Sequence, residues 1–340
     1  MLEEERASTR SLTGQRVRRP MCARCSVLTV GTMEGSETTP AVQVSALRMS
    51  YGTTEALRGI DLEVLSGEIV ACVGPNGAGK TTMLEILEGF RRRTGGDVRV
   101  FGVDPECGDG RWRDRIGVVL QESTPEPELT VGECVALYAG YYGRPQPVAD
   151  TLRLVGLDHR AGVRCARLSG GERRRLDVAL ALIGDPELVF LDEPTTGFDP
   201  VARRAAWDMI AGLRELGKTV LLTTHYMEEA ERLADRVAVI AAGRIVAAGT
   251  PDSLGGRDQE AATISFVLPN GVAVGDLPRP VMTAVHHTVG PRVEVSSCDP
   301  LPLLGALASW SAAQEIELRD LVVSRPTLED TYLRLTEHVA

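Results

Sequence analysis

The sequence predicts an α/β protein, a mostly parallel sheet covered on both faces, followed by a small α+β module. Strand and helix patterns alternate from Ala41 to about residue 255, as parallel strands joined by helical crossovers require. Several of the strand segments, Leu188 to Leu191 among them, are apolar throughout, the mark of strands buried on both faces. After Gly249-Thr250-Pro251 the composition shifts, and residues 262–340 break into shorter strands and helices. A chain of 340 residues suits two domains at roughly 100–200 residues each. The predicted division is 1–40, 41–255 and 256–340.

Residues 1–40 are rich in Ser, Thr, Arg and Glu, lack periodicity, and read as a disordered extension. Met33 is a plausible alternative start. Cys22 and Cys25 form a CxxC with no second pair to complete four zinc ligands, so no metal is expected there. Val42 to Tyr51, Leu57 to Val64 and Glu68 to Val73 read as strands, the last ending at a glycine. Lys80 to Phe90 reads as a helix with Met83, Leu84, Ile86 and Leu87 turned inward. Ile116 to Gln121 is a short strand, and 129–165 is helical with turn residues around Gly143 to Pro147. Glu172 to Ile183 and Val201 to Leu216 are helices flanking the Leu188 strand, and Val220 to Thr224 and Val237 to Ile240 are strands. In the tail, strands fall near Thr263 to Leu268, Arg292 to Val295 and Glu315 to Val323. Helices fall near Leu301 to Ser311 and Thr327 to Thr336.

Composition narrows the function. Net charge is −10, which argues against a nucleic-acid partner because phosphate contacts dominate that affinity. No apolar run reaches the roughly 18–20 residues of a spanning helix, and the N-terminal segment has no apolar stretch of secretory type. Seven cysteines, an odd number scattered over the chain, form no disulfide framework and suit a reducing compartment. Only Lys80 and Lys218 are lysines among 37 basic residues, which makes the position of Lys80 informative.

Gly74-Pro75-Asn76-Gly77-Ala78-Gly79-Lys80-Thr81 matches GxxxxGK[ST] between an apolar strand and a helix. Glycines let the backbone wrap a phosphate group, and amides at the helix start point at it. Lys80 suits the β- and γ-phosphates and the Thr81 hydroxyl suits Mg²⁺. A GTPase of the small type is disfavoured, since neither Asn76 nor Asn270 precedes a lysine in an NKxD element. Asp192 and Glu193 end the apolar Leu188 strand. Side chains alternate along a strand, so Asp192 is expected at Mg²⁺ and Glu193 as the base that polarises the attacking water. Leu168-Ser169-Gly170-Gly171-Glu172 opens a helix, with Ser169 in N-cap position and glycines exposing amides to an anion.

With these motifs in order, residues 42–255 resemble the ATP-binding subunit of an ABC transporter. Glu172 stands where that family usually has Gln, and Phe198 where it usually has Leu. The resemblance implies an ABC ATPase domain of the P-loop NTPase class, with an antiparallel β-subdomain and a helical subdomain. It also implies roles for further residues: Tyr51 stacking on adenine, Thr82 beside the phosphates, Gln121 linking Mg²⁺ to the helical subdomain, Asp199 in the D-loop, and His225 as the switch histidine. ATP and Mg²⁺ are the implied cofactors. Ser169, Gly170 and Gly171 of one chain would close over ATP held by another, giving an ATP-dependent head-to-tail dimer. A separate permease would supply the membrane path and hold the chain on the cytoplasmic face. The segment Arg325 to Thr336 resembles the tail of daunorubicin-resistance-type subunits, which serve ABC-2-type exporters of drugs, lipids or polysaccharides. Leu328, Tyr332 and Leu335 share one face of its helix, either packing on their own module or meeting another surface. An importer subunit, or a soluble ABC ATPase acting on ribosomes or DNA, are the alternatives. His286 and His287 are not expected to bind metal.

Overall fold

The structure, a computed structural model, describes residues 40–119 and 125–337. Apart from Pro40, the predicted N-terminal extension with Cys22, Cys25 and Met33 lies outside the described residues, as does Gln121.

Strands β1 (Pro40–Tyr51) and β2 (Thr54–Leu65) form an antiparallel hairpin. Val42 and Val44 face inward, but so do Leu47 and Met49. The phase change comes from a register shift between Val44 and Leu47, where Ala46 has φ 48°. This bulge inserts one residue and keeps the apolar side chains on the core face. β3 (Ile69–Val73) leads into the glycine-rich loop and helix α1 (Lys80–Leu87). β4 (Gly95–Val100) then pairs with the free side of β1, completing a sheet of order β2-β1-β4.

Next come α2 (Gly110–Arg113), β5 (Ile116–Val119), α3 (Val131–Ala139), α4 (Val148–Leu154), α5 (Gly170–Leu182) and β6 (Leu188–Asp192). They are followed by α6 (Pro200–Glu215), β7 (Thr219–Thr224), α7 (Met227–Leu233), β8 (Arg236–Ala241) and β9 (Arg244–Gly249). The second sheet has the order β5-β6-β7-β3-β8-β9, parallel except for β9. Ala242 and Gly243, at φ 45° and 77°, form the turn before β9, left-handed at both positions as a tight hairpin twist requires.

Every residue of β3, β6 and β7 is buried. Ile69, Ala71 and Val73 join one apolar cluster with residues of α3 to α7, while Val70 and Cys72 join another with α1, β1 and β2. That two-sided burial is why these strands read as continuous apolar runs. Truncating Phe190, fully buried on β6, would cost about 3–5 kcal/mol. The adjacent parallel strands β6, β7 and β3 end at one edge of the sheet, where ligands of open α/β sheets bind.

The third sheet, β11-β12-β10-β13, is antiparallel. It is built from β10 (Ala262–Val267), α8 (Arg279–Thr283), β11 (Val285–Val289), β12 (Arg292–Ser297), α9 (Leu301–Ala313) and β13 (Arg319–Ser324). Ile264, Phe266, Val281, Val293, Val295 and Leu307 form its core. The last helix, α10 (Leu328–Glu337), packs away from this core. Leu328 is fully buried in the main helical-side cluster, against which Tyr332 and Leu335 also pack. Of the two packings left open for this helix, the chain adopts the one against another surface.

Candidate functional site

Gly74 and Gly79 are glycines of necessity. A Cβ at Gly74 would lie 2.2 Å from the Ile240 carbonyl oxygen, and one at Gly79, where φ is 105°, 2.6 Å from Leu57 Cδ2. The loop therefore lies pressed between β2 and β8, with Pro75, Asn76 and Gly77 exposed at its crest and Ala78 buried. α1 starts at Lys80 with no side-chain cap, which leaves its first amides to be satisfied by a ligand. Lys80 is buried, and its Nζ donates to the carbonyls of Gly74 at 2.7 Å and Pro75 at 3.2 Å. Thr81 is exposed at the helix start. The Tyr51 hydroxyl lies 3.4 Å from Thr82 Oγ1, and the Arg91 guanidinium sits 5.2 Å from the centre of the Tyr51 ring.

The paired acids do not simply alternate along a strand. Asp192 is the buried last residue of β6, whereas Glu193 lies beyond it with φ 45°. A non-glycine residue in that left-handed region carries strain, and it persists where the surroundings over-determine it. Thr223, the register partner of Asp192 on β7, supplies part of that determination. Its hydroxyl donates to Asp192 Oδ1, while the Glu193 amide donates to both Oγ1 and the carbonyl of Thr223 at 3.1 Å. The turned Glu193 carboxylate meets three groups. Lys80 Nζ is 3.5 Å from Oε1, Thr196 Oγ1 donates to Oε2 at 3.2 Å, and His225 Nδ1 is 3.3 Å from Oε2. His225 Nδ1 is buried and its contact with Glu193 is not directed as a hydrogen bond; its ring packs on Tyr226 at 4.1 Å. At Glu88, the C-cap residue of α1, burial first, and then the charges of Asp192 and Glu85, push the carboxyl up to about 8.

The signature segment opens α5. Ser169 caps α5 in a capping box, accepting from the Glu172 amide at 3.3 Å while Glu172 Oε2 accepts from the Ser169 amide at 2.9 Å. Glu172 is also tied to Arg160 Nε at 2.7 Å. Glu172 thus serves as a structural cap, and its carboxyl is held below the usual carboxylate range by the Ser169 backbone hydrogen bond, with Arg160 adding to it. Ser169 and Gly170 remain exposed. They line an open cavity of about 1000 Å³ whose other walls include Gly171, Glu193, Thr196 and Asp199, and no residue of 74–81. Asp199 is committed to capping α6, accepting from the amides of Val201 and Ala202 at 2.9 Å.

The geometry thus gathers Lys80, Asp192, Glu193 and His225 at one sheet edge, with the glycine-rich loop beside them, and leaves the exposed helix start of Ser169 and Gly170 on a cavity that Glu193 also lines. The ABC transporter family pattern matches residues 57–196, and the C-terminal domain of ABC transporter domain-containing-like proteins matches 262–327. The Nod factor export ATP-binding protein I of Ralstonia nicotianae is 36% identical over 307 residues, 89% of this chain and 95% of that protein. The chain belongs to the ABC transporter ATP-binding family. The protein of the same name from Sinorhizobium fredii is 36% identical over 315 residues, 90% of this chain and 88% of that one. Among solved structures, an ATP-binding subunit of an ABC transporter aligns at TM-score 0.57 with 28% identity, over 63% of this chain and 91% of its own. An ATP-binding cassette in a dimeric post-hydrolysis state with ADP and Pi aligns at TM-score 0.56 with 27% identity, over 62% and 98%. The chain is accordingly an ABC transporter ATP-binding subunit, an ATPase that hydrolyses ATP. Among the described residues no helix is long and apolar enough to cross a membrane.

Thr223 and Thr196 were not singled out from the sequence. Thr223 earns its place only through the β6–β7 register, which strand composition does not reveal.

Proposed function

We propose that residues 41–255 are the nucleotide-binding domain and 256–340 an accessory domain anchored on it through α10. ATP binds with its phosphates in the 74–81 loop and its adenine against Tyr51. Thr82, beside Tyr51, borders the phosphates. Lys80 leaves the Gly74 and Pro75 carbonyls to meet the phosphates, a charge-assisted exchange that favours the ligand. Glu193 takes the proton of the attacking water, and His225 orients the γ-phosphate and the Glu193 carboxylate beside it. The Thr81 hydroxyl, Asp192 and Gln121 would hold Mg²⁺. These are hard oxygen donors few enough to leave positions for phosphate and water, which suits that ion, and Mg²⁺ would offset phosphate charge. The convergence of Lys80 and His225 on the Glu193 carboxylate carries this reading.

Ser169, Gly170 and Gly171 of a second copy supply the remaining donors, and Asp199 borders that interface, so two chains clasp two nucleotides head to tail. A separate permease carries the work across the membrane and holds the chain at its cytoplasmic face. The relatives' names, Nod factor export, favour export over import, with a lipid, drug or polysaccharide cargo. The test is ATP turnover by the purified full chain, with its permease where needed. Turnover should require Mg²⁺ and fall about 1,000-fold in Lys80→Ala. Turnover untouched by that change would overturn the assignment.

A further inference from the structure

The strained backbone at Glu193 has a second support, and it comes from the helix of the opposite half-site. Arg174 lies on α5, five residues after Ser169. Its Nη2 donates to the carbonyl of Asp192 at 2.8 Å and its Nε to the carbonyl of Pro194 at 3.2 Å. These are the carbonyls of the residues immediately before and after Glu193. The guanidinium is largely buried and lies 4.0 Å from the buried Asp177 on the same helix. A planar guanidinium presents its donors in a rigid fork, so its two bonds hold the peptide unit entering Glu193, through the Asp192 carbonyl, and the one leaving Pro194, bracketing the turn that contains Glu193. The residue between them has φ 45°. Thr223 grips the Glu193 amide from the β7 side, and Arg174 grips the flanking carbonyls from the α5 side.

We infer that Arg174 is a positioning residue for hydrolysis, holding Glu193 in its turned conformation and joining that carboxylate rigidly to the start of the signature helix of the same chain. The inference rests on the proposed function in one respect. If Ser169 serves the nucleotide of one site and Glu193 that of the other, Arg174 is a direct mechanical link between the two sites within one protomer. A shift of α5 on meeting nucleotide then moves the Asp192 and Pro194 carbonyls and with them the Glu193 carboxylate. Hydrolysis at one site thereby follows engagement at the other.

The test is a double-mutant cycle on the full chain, Arg174→Lys against Glu193→Gln, reading kcat, KM for ATP, and ATP-induced dimerisation. Lysine keeps the positive charge beside Asp177 but has no fork with which to hold two carbonyls. Losing an orienting partner typically costs 10–100-fold in activity, so Arg174→Lys should lower kcat by about that factor with KM and melting temperature little changed. In the Glu193→Gln background, Arg174→Lys should add nothing to the loss of turnover, because both act at one carboxylate. Glu193→Gln alone reports on the proposed function, since it should bind ATP and dimerise whatever Arg174 does. Multiplying losses in the double variant, or a rise in KM with kcat unchanged, would overturn the positioning role. Should Arg174→Lys melt early, Arg174→Gln read in the same cycle decides, and additive losses there would equally overturn it.

Discussion

The two halves of the proposed nucleotide site are built on opposite principles. The loop of residues 74–81 is wedged between strands, its lysine buried and already bonded to two backbone carbonyls. The signature surface of Ser169 and Gly170 is exposed on an open cavity, its local bonds internal to a capping box. One half is set before ligand arrives, while the other is complete as structure yet has nothing in the described chain to act upon. A loop shaped in advance serves binding, because only the Lys80 bonds to the Gly74 and Pro75 carbonyls are exchanged for phosphate. An exposed helix start serves association, because it can be satisfied by a ligand brought from elsewhere.

The sharpest way to break this contrast is to damage each half separately. Lys80→Ala should lower turnover about 1,000-fold, at the upper end for one oxyanion-stabilising donor. It should also weaken nucleotide binding to the single chain about 10–100-fold, since hydrogen bonds to charged groups contribute 1.5–3 kcal/mol. Ser169→Asp keeps a good N-cap but sets a negative charge where phosphate is to lie. It should abolish ATP-dependent dimerisation with little change in melting temperature or in single-chain nucleotide affinity, as read by calorimetry.

The preorganised half should also show a pH signature. Glu88, the C-cap residue just after α1, has its carboxyl pushed up to about 8 by burial, well above an unfolded glutamate near 4.3. The folded chain therefore holds that proton more tightly, and stability present below about pH 4.5 is lost as pH rises towards 8. Linkage gives a ceiling of roughly 4 kcal/mol for that loss between pH 5 and 8. Denaturant titrations of Glu88→Gln should lack it, and a slope equal to that of the unmodified chain would contradict the burial argument.

A smaller effect is expected from Thr223→Val, which keeps the shape of the side chain but removes its hydroxyl. Asp192 loses a donor and the Glu193 amide keeps only the Thr223 carbonyl. The cost should be about 1–3 kcal/mol in stability and a turnover loss smaller than that of Lys80→Ala, measured side by side.

Much of this was legible in the sequence because the chemistry is local. The phosphate loop, Lys80, the Asp192-Glu193 pair and the Ser169 cap are contiguous motifs, and the two-sided burial of β3, β6 and β7 shows as unbroken apolar runs. What was hidden depends on register and on weakly patterned segments. β4 has only Val98 and Val100 buried, β9 is an edge strand with no fully buried residue, and α7 has seven residues, too few for a helical period to emerge. β11 is exposed for most of its length. The alternation argument separated the roles of Asp192 and Glu193, but the separation arises from a left-handed turn after the strand and from Thr223 across the sheet. Helix α10 showed its apolar face in Leu328, Tyr332 and Leu335, yet only packing decides which core receives it.

The most direct measurement is the solution mass of Glu193→Gln by light scattering, with ATP, with ADP and without nucleotide. A site shared between two chains requires the mass to double in ATP alone and to remain monomeric when Ser169→Asp is added. A Glu193→Gln chain that binds ATP tightly and stays monomeric, with its permease present as well as without, would contradict the shared site.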